Sequence, residues 1–161
     1  MNHANLPRHN PSATVSTLKQ YYALGSTTTQ VVFDNGFSEP GLVSLDLSRF
    51  PHLQSLVIGD DAFFLVPELS LIGLSELESV VIGKRSFKAV SGNYPKTSVP
   101  GRRFQLKHCS KLKTVRTGSQ SFADYSACEI ENVNALETIV VGEYSFFWSS
   151  LELRGGGDVL G

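Results

Sequence analysis

The chain is poor in the residues that usually announce a chemistry. Its 161 residues include only two cysteines, Cys109 and Cys128, one methionine and one tryptophan. Two thiols cannot make a disulfide scaffold. No apolar run approaches the roughly 20 residues a membrane helix needs. The first 25 residues hold no apolar core of the length a secretory leader requires, so a cytoplasmic location is the default expectation. A cell-surface setting would fit only as part of a larger protein. No Asn-x-Ser/Thr acceptor occurs, because Asn10 is followed by Pro11. Net charge is −1, so the chain is not a globally basic nucleic-acid coat. Between Ser79 and Ala123 there is not one Asp or Glu.

What is present is a repeat. Four segments superimpose as L-x-[S/T]-Φ-x-x-G-x-x-[A/S]-F, where Φ is aliphatic: Leu53 to Phe63, Leu77 to Phe87, Leu112 to Phe122 and Leu136 to Phe146. Their glycines are Gly59, Gly83, Gly118 and Gly142, spaced 24, 35 and 24 residues apart. The middle repeat therefore carries 35 − 24 = 11 extra residues. A second short pattern precedes each block and ends three residues before its leucine: Leu45-x-Leu47-x-x-Phe50, Leu69-x-Leu71-x-x-Leu74, Phe104-x-Leu106-x-x-Cys109 and Cys128-x-Ile130-x-x-Val133. A further copy starts at Leu151-x-Leu153, and Val31 to Phe37 is a degenerate first copy.

One such unit has a single apolar edge and cannot cover it alone. Stacking units at about 4.8 Å pairs every strand and sets like residue on like residue. The expected fold is mainly β: a right-handed leucine-rich-repeat-type solenoid of about four to five coils, two short parallel strands per coil. Leu53, Leu77, Leu112 and Leu136 point inward, as do Leu56, Val80, Val115 and Ile139. The phenylalanines form one stacked aromatic file. The glycines are expected to take a positive φ at the coil's turn.

The Ile-Gly-x-x-[Ala/Ser]-Phe signature, in Ile58 to Phe63 and Ile82 to Phe87, with its near-24 period, resembles the BspA-like leucine-rich repeats over residues 31–153. The third copy departs, with Thr117 at the isoleucine position. The resemblance implies a protein that binds other proteins or host surfaces rather than one that catalyses.

The ends read differently. Residues 1–29 are expected to be a disordered tail followed by a short capping helix from Ser16 to Leu24, with Ser16 as N-cap and Val15, Leu18 and Tyr22 facing the first coil. The solenoid would occupy residues 30–161, with an inserted loop at about 88–103. Gly155 to Gly161 offers no capping element. That predicts a chain incomplete at this end, or one that associates end to end through the uncapped C-terminal coil.

Ten of the 14 Lys and Arg lie in the acid-free stretch. Several should pair across strands: Lys84 over Asp60, Arg85 over Asp61, Lys107 beside Glu131, and Lys113 between Glu78 and Glu137. Four have no such partner: Lys88, Lys96, Arg102 and Arg103, in or beside the insertion. With Tyr94 they form the candidate partner-binding set, since insertions in repeat proteins map to one face and Tyr and Arg are favoured at binding hot spots. A tolerated insertion is the equal alternative. The outward column Val57, Val81, Arg116 and Val140 is a second candidate surface, with ordinary strand formers the preferred reading.

The sequence offers no metal or cofactor motif. His108 beside Cys109 suggests a nucleophile pair, but neighbours on a strand face opposite ways, so Cys109 reads as a buried inert thiol. Asp60-Asp61 reads as a solvated turn. The expected function is a non-catalytic protein-interaction or scaffold module with an unidentified protein partner. The alternative is a polyanion-binding module acting through the basic loop. A β-helix enzyme acting on polysaccharide is a remote third.

Overall fold

The computed structural model describes residues 12–88, 99–147 and 149–155. The chain is mainly β with little helix. The described elements are β1 (Ser12–Val15), α1 (Leu18–Ala23), β2 (Gln30–Phe33), β3 (Leu45–Asp46), a 3-10 turn (Leu47–Arg49), β4 (Ser55–Ile58), β5 (Glu68–Ile72), β6 (Ser79–Ile82), β7 (Val99–Lys107), β8 (Thr114–Thr117), β9 (Tyr125–Glu131), β10 (Thr138–Val141) and β11 (Ser150–Arg154). They form two all-parallel sheets, of order β1-β2-β4-β6-β8-β10 and β11-β9-β7-β5-β3. From β2 onward successive strands alternate between the two sheets.

The register follows the repeat. In the six-stranded sheet Val31, Leu56, Val80, Val115 and Ile139 are direct neighbours. In the other sheet Leu71 lies beside Leu106, Leu106 beside Ile130 and Ile130 beside Leu153. Period-2 alternation then sends one file of each strand into the space between the sheets. Leu53, Leu56, Leu77, Val80 and Leu112 are fully buried there. The file opens at its end, where Ile139 is 42% exposed.

The aromatic file is present. Phe63, Phe87, Phe122 and Phe146 stack with ring centroids 5.2, 4.7 and 4.7 Å apart and interplanar angles of 16°, 6° and 4°. Phe33 closes it against Phe63 edge to face, at 4.9 Å.

The glycines do a different job from the expected one. Gly59, Gly83, Gly118 and Gly142 do not take a positive φ. Positive φ falls instead on the non-glycine turn residues Asp61, Arg85, Gln120 and Tyr144, and on the four phenylalanines, all between 52° and 62°. The glycines are needed for close approach. A Cβ on Gly83 would lie 2.6 Å from the carbonyl carbon of Gly59, and one on Gly142 would lie 2.5 Å from that of Gly118. Backbone meets backbone there, and no side chain fits between.

The small [Ala/Ser] position has a role of its own. Ser86 Oγ donates to the Gly59 carbonyl at 2.7 Å and accepts the Ala62 N–H at 3.2 Å. Ser145 Oγ repeats this two units on, donating to Gly118 O at 2.7 Å and accepting Ser121 N–H at 3.2 Å. These serines satisfy backbone groups that the turn takes out of the strand ladder. The left-handed phenylalanines keep their own backbone paired to the preceding unit: Phe87 N–H donates to Ala62 O and Phe122 N–H to Ser86 O, both at 2.9 Å.

The N-terminal boundary needs correction. β1 pairs in register with β2, so Ser12–Val15 belongs to the six-stranded sheet rather than to a tail or a cap. The helix starts later than expected. Thr17, not Ser16, is its N-cap, in a capping box with Gln20. Tyr21, not Tyr22, is the buried residue; it packs on Phe33 and Phe50 with the Arg49 guanidinium 4.9 Å over its ring. Tyr22 is 58% exposed. A six-residue helix turns a single side chain fully inward, and periodicity over so short a span does not select it.

Two outcomes follow. Phe87→Ala should cost about 3–5 kcal/mol in denaturant unfolding, and a loss below about 1 kcal/mol would mean the ring is not buried. Gly118→Ala should cost at least about 1–3 kcal/mol from forced backbone movement. An unchanged denaturation midpoint for that variant would show that the units are not held at the observed spacing.

Candidate functional site

The acid-free stretch is far more compensated than its composition suggests. Arg85 grips Asp61 through Nε and Nη2, at 2.7 and 2.8 Å, as the register predicts. That hydrogen bond holds the Asp61 carboxyl below the ordinary carboxylate range. Lys84 differs: its backbone N–H, not its ammonium, meets Asp60 Oδ1, at 2.7 Å. Asp60 thereby caps the turn of the next unit. Lys107 Nζ lies 2.8 Å from Glu129 and 3.8 Å from Glu131, so the nearer acid is not the expected one. Lys113 sits between Glu78 and Glu137 through backbone hydrogen bonds at 2.9 Å.

The loop cations are where expectation and structure part. Lys88, Arg102 and Arg103 each have a partner, and Arg102 and Arg103 lie on β7 rather than in a loop. Arg103 Nε is 3.4 Å from Glu68 across β5, both groups remaining partly exposed. Arg102 is buried, its side chain only 7% exposed. Its Nε is 3.4 Å from Asp124 Oδ1, Nη2 donates to the Phe87 carbonyl at 3.3 Å, and the guanidinium lies 4.8 Å over the Tyr125 ring. Tyr125 in turn donates its hydroxyl to Val66 O at 2.6 Å, and burial pushes that phenol well above its ordinary value. Lys88 is also buried and donates to Gln120 Oε1 at 3.1 Å. Burial pushes its ammonium below the ordinary value, with the Asp124 charge opposing. Tyr94 and Lys96 lie outside the described residues.

Lys88, Arg102, Asp124 and Tyr125 thus form an internal polar cluster at the two ends of the insertion. Asp124, fully buried, is the residue the sequence reading missed. It is the first acid after the acid-free stretch, and it lies in the turn that follows Phe122. Its position one step past that boundary was the available signal.

The exposed surface lies elsewhere, on the outward face of the six-stranded sheet. Val32, Val57, Val81, Arg116 and Val140 are register neighbours on β2, β4, β6, β8 and β10. Val32, Val81 and Val140 are 36%, 37% and 42% exposed. A parallel column of Ser55, Ser79, Thr114 and Thr138 runs beside them, two residues back along each strand. The result is a strip with hydroxyls on one side, branched aliphatics on the other and one cation, Arg116, among them.

Reactive chemistry is not assembled around the thiols. Cys109 and Cys128 are free and buried. Burial raises both thiols, that of Cys128 to about 12. His108 turns outward, where Asn132 Nδ2 lies 3.1 Å from its Nδ1. Among the described residues no group of three or more His, Cys, Asp or Glu is disposed to hold a metal ion. None of the described helices is long and apolar enough to cross a membrane.

Arg102→Ala should destabilise the fold by about 3–5 kcal/mol, since it breaks a buried ion pair with Asp124. A loss under about 1 kcal/mol in urea unfolding would show the pair to be solvated. Cys109 and Cys128 should react with a thiol probe far more slowly in the native protein than after unfolding; equal rates would overturn their burial.

No protein-family model matches the sequence, and comparison with curated proteins and with solved structures returns no match.

Proposed function

We propose that the chain is a non-catalytic protein-interaction or scaffold module, adhesion-like in its mode of attachment. We further infer that its two parallel sheets wind as a right-handed leucine-rich-repeat-type solenoid. Strand-crossover-strand connections between parallel neighbours are right-handed in about 98% of cases. The in-register repeat and the BspA-like Ile-Gly-x-x-[Ala/Ser]-Phe signature support the same reading.

The observation that carries the functional part is the outward strip of the six-stranded sheet. Five strands present side chains at fixed spacing, and three of its four valines are at least 36% exposed. A contiguous, rigid, partly apolar face is what a partner protein can bury with little loss of conformational freedom. Arg116 supplies the polar anchor of a kind enriched at hot spots. On this reading recognition uses the sheet rather than the inserted segment. Of the five loop residues first singled out, Lys88 and Arg102 are buried and Arg103 is paired with Glu68. The polyanion reading then has little left to draw on besides Tyr94 and Lys96.

The test is a paired capture experiment. Val81→Lys combined with Arg116→Glu should leave stability within about 0.5 kcal/mol, because both side chains face solvent. The same double variant should lose the partner that the wild-type chain captures from its native source. Undiminished capture of that partner would remove this face from consideration. Retention on heparin that collapses with modest salt would favour the polyanion reading instead.

A further inference from the structure

The turn that follows β2 carries the one Asn-Gly pair of the sequence, Asn35-Gly36. In such a pair the main-chain nitrogen can attack the preceding side-chain amide with little hindrance, because glycine sets no Cβ in the way. Both residues lie at the surface, where water and hydroxide reach them. Gly36 has φ of 75° and takes the turn position that Asp61 and Arg85 hold in the next two units, both at φ of 56°.

The main chain of Asp60 holds both reacting groups. Its N–H donates to Asn35 Oδ1 at 2.8 Å, and its carbonyl accepts the Gly36 N–H at 2.7 Å. Cyclisation needs the Gly36 nitrogen stripped of its proton and turned onto Asn35 Cγ. Hydroxide removes a hydrogen-bonded amide proton only when that bond opens. The side-chain amide must also leave Asp60 to meet the nitrogen. The contact has no slack: a Cβ on Gly59 would lie 2.6 Å from Asn35 N and 2.9 Å from its Cα. The next unit repeats one half of this clasp, with Asp60 Oδ1 accepting the Lys84 N–H at 2.7 Å. A carboxylate therefore serves the same capping role one unit on.

We infer that Asn35 is a latent site of spontaneous deamidation, guarded by the Asp60 main chain and released when the first unit opens. In the reaction the Gly36 nitrogen loses its proton to hydroxide and bonds to Asn35 Cγ. The Cγ–Nδ2 bond breaks, and the amide nitrogen takes a proton from water and leaves as ammonia. Water then opens the succinimide ring. Opening at Cγ gives aspartate, and opening at the main-chain carbonyl gives isoaspartate. No electrons are gained or lost. Aspartate keeps the cap, as Asp60 does. Isoaspartate routes the main chain through Cβ and adds an atom to a turn already in backbone contact with Gly59. The shift falls on Phe37, which packs on Phe33 and Phe63 at 5.4 and 5.5 Å and accepts the Phe63 N–H at 2.9 Å. A single opening is thereby made permanent in the isoaspartyl chain. The inference stands apart from which protein the outward strip binds.

Peptide mapping by mass spectrometry tests it on the full chain at mildly alkaline pH, native in one arm and unfolded in guanidinium in the other. Conversion of Asn35 should be at least about tenfold slower in the native arm. Equal rates overturn the guard. Faster native conversion overturns it too, by making Asp60 a promoter of the reaction, and no conversion in either arm removes the site. Hydrogen exchange at the Gly36 amide reads the same opening in the unaltered chain, and exchange as fast as in the unfolded chain overturns the clasp. Gly59→Ala, which presses a methyl onto Asn35, should move the native rate toward the unfolded one; an unchanged rate in a variant that circular dichroism shows folded counts against the inference. Asn35→Asp should keep the wild-type denaturation midpoint. The isoaspartyl chain, separated chromatographically and refolded, should unfold at lower denaturant. A midpoint equal to that of Asn35→Asp would show that the extra main-chain atom is accommodated, and the permanence of the opening would fall.

Discussion

Neighbouring units must lie close enough for backbone to touch backbone at the glycine file, and nearly every other feature is arranged around that approach. Parallel strands in register fix the spacing, and the spacing leaves no room for a Cβ on Gly83, Gly118 or Gly142. Once the chain is that tight, its turns must carry their own hydrogen bonds between units. Ser86 and Ser145 reach back to glycine carbonyls, and the phenylalanines adopt left-handed backbone to keep their N–H groups paired. Left-handed backbone at a bulky residue costs on the order of 1–2 kcal/mol. The stacked rings offset it, since a buried phenylalanine contributes more than that through area alone.

Much of this was legible in the sequence because a repeat states its register outright. Aligning Leu56, Val80, Val115 and Ile139 on the page aligns them in the sheet, and the phenylalanine file follows from the same alignment. What the repeat does not carry was harder to read. β1 has no repeat signature; four residues, Ser-Ala-Thr-Val, pair with β2 at the edge of the sheet. The conformational role of the glycines was misjudged because glycine answers two needs, positive φ and close approach, and a one-dimensional pattern does not separate them. The turn residues that do take positive φ, such as Asp61 and Arg85, are chemically ordinary.

The basic stretch shows a different limit. A run without acids looks like an unpaired surface when charge is counted along the chain. In the folded chain Arg103 reaches Glu68 on the neighbouring strand, 35 residues away in sequence, and Arg102 reaches Asp124 beneath the turn. The insertion lengthens the Glu68–Arg103 separation from 24 to 35 residues, so that pair does not line up in the simple 24-residue comparison. Charge complementarity here is a property of the sheet, and the buried pair ties the strand after the insertion to the turn that follows Phe122.

The capping helix has a consequence for how the chain is made. Because α1 and β1 are translated before the strands of the repeats, an edge for β2 exists before β4 is made. Each later strand then meets an edge already in place and can settle on it in turn. Synthesis and assembly run in one direction, and the surface awaiting its next layer is always the newest one.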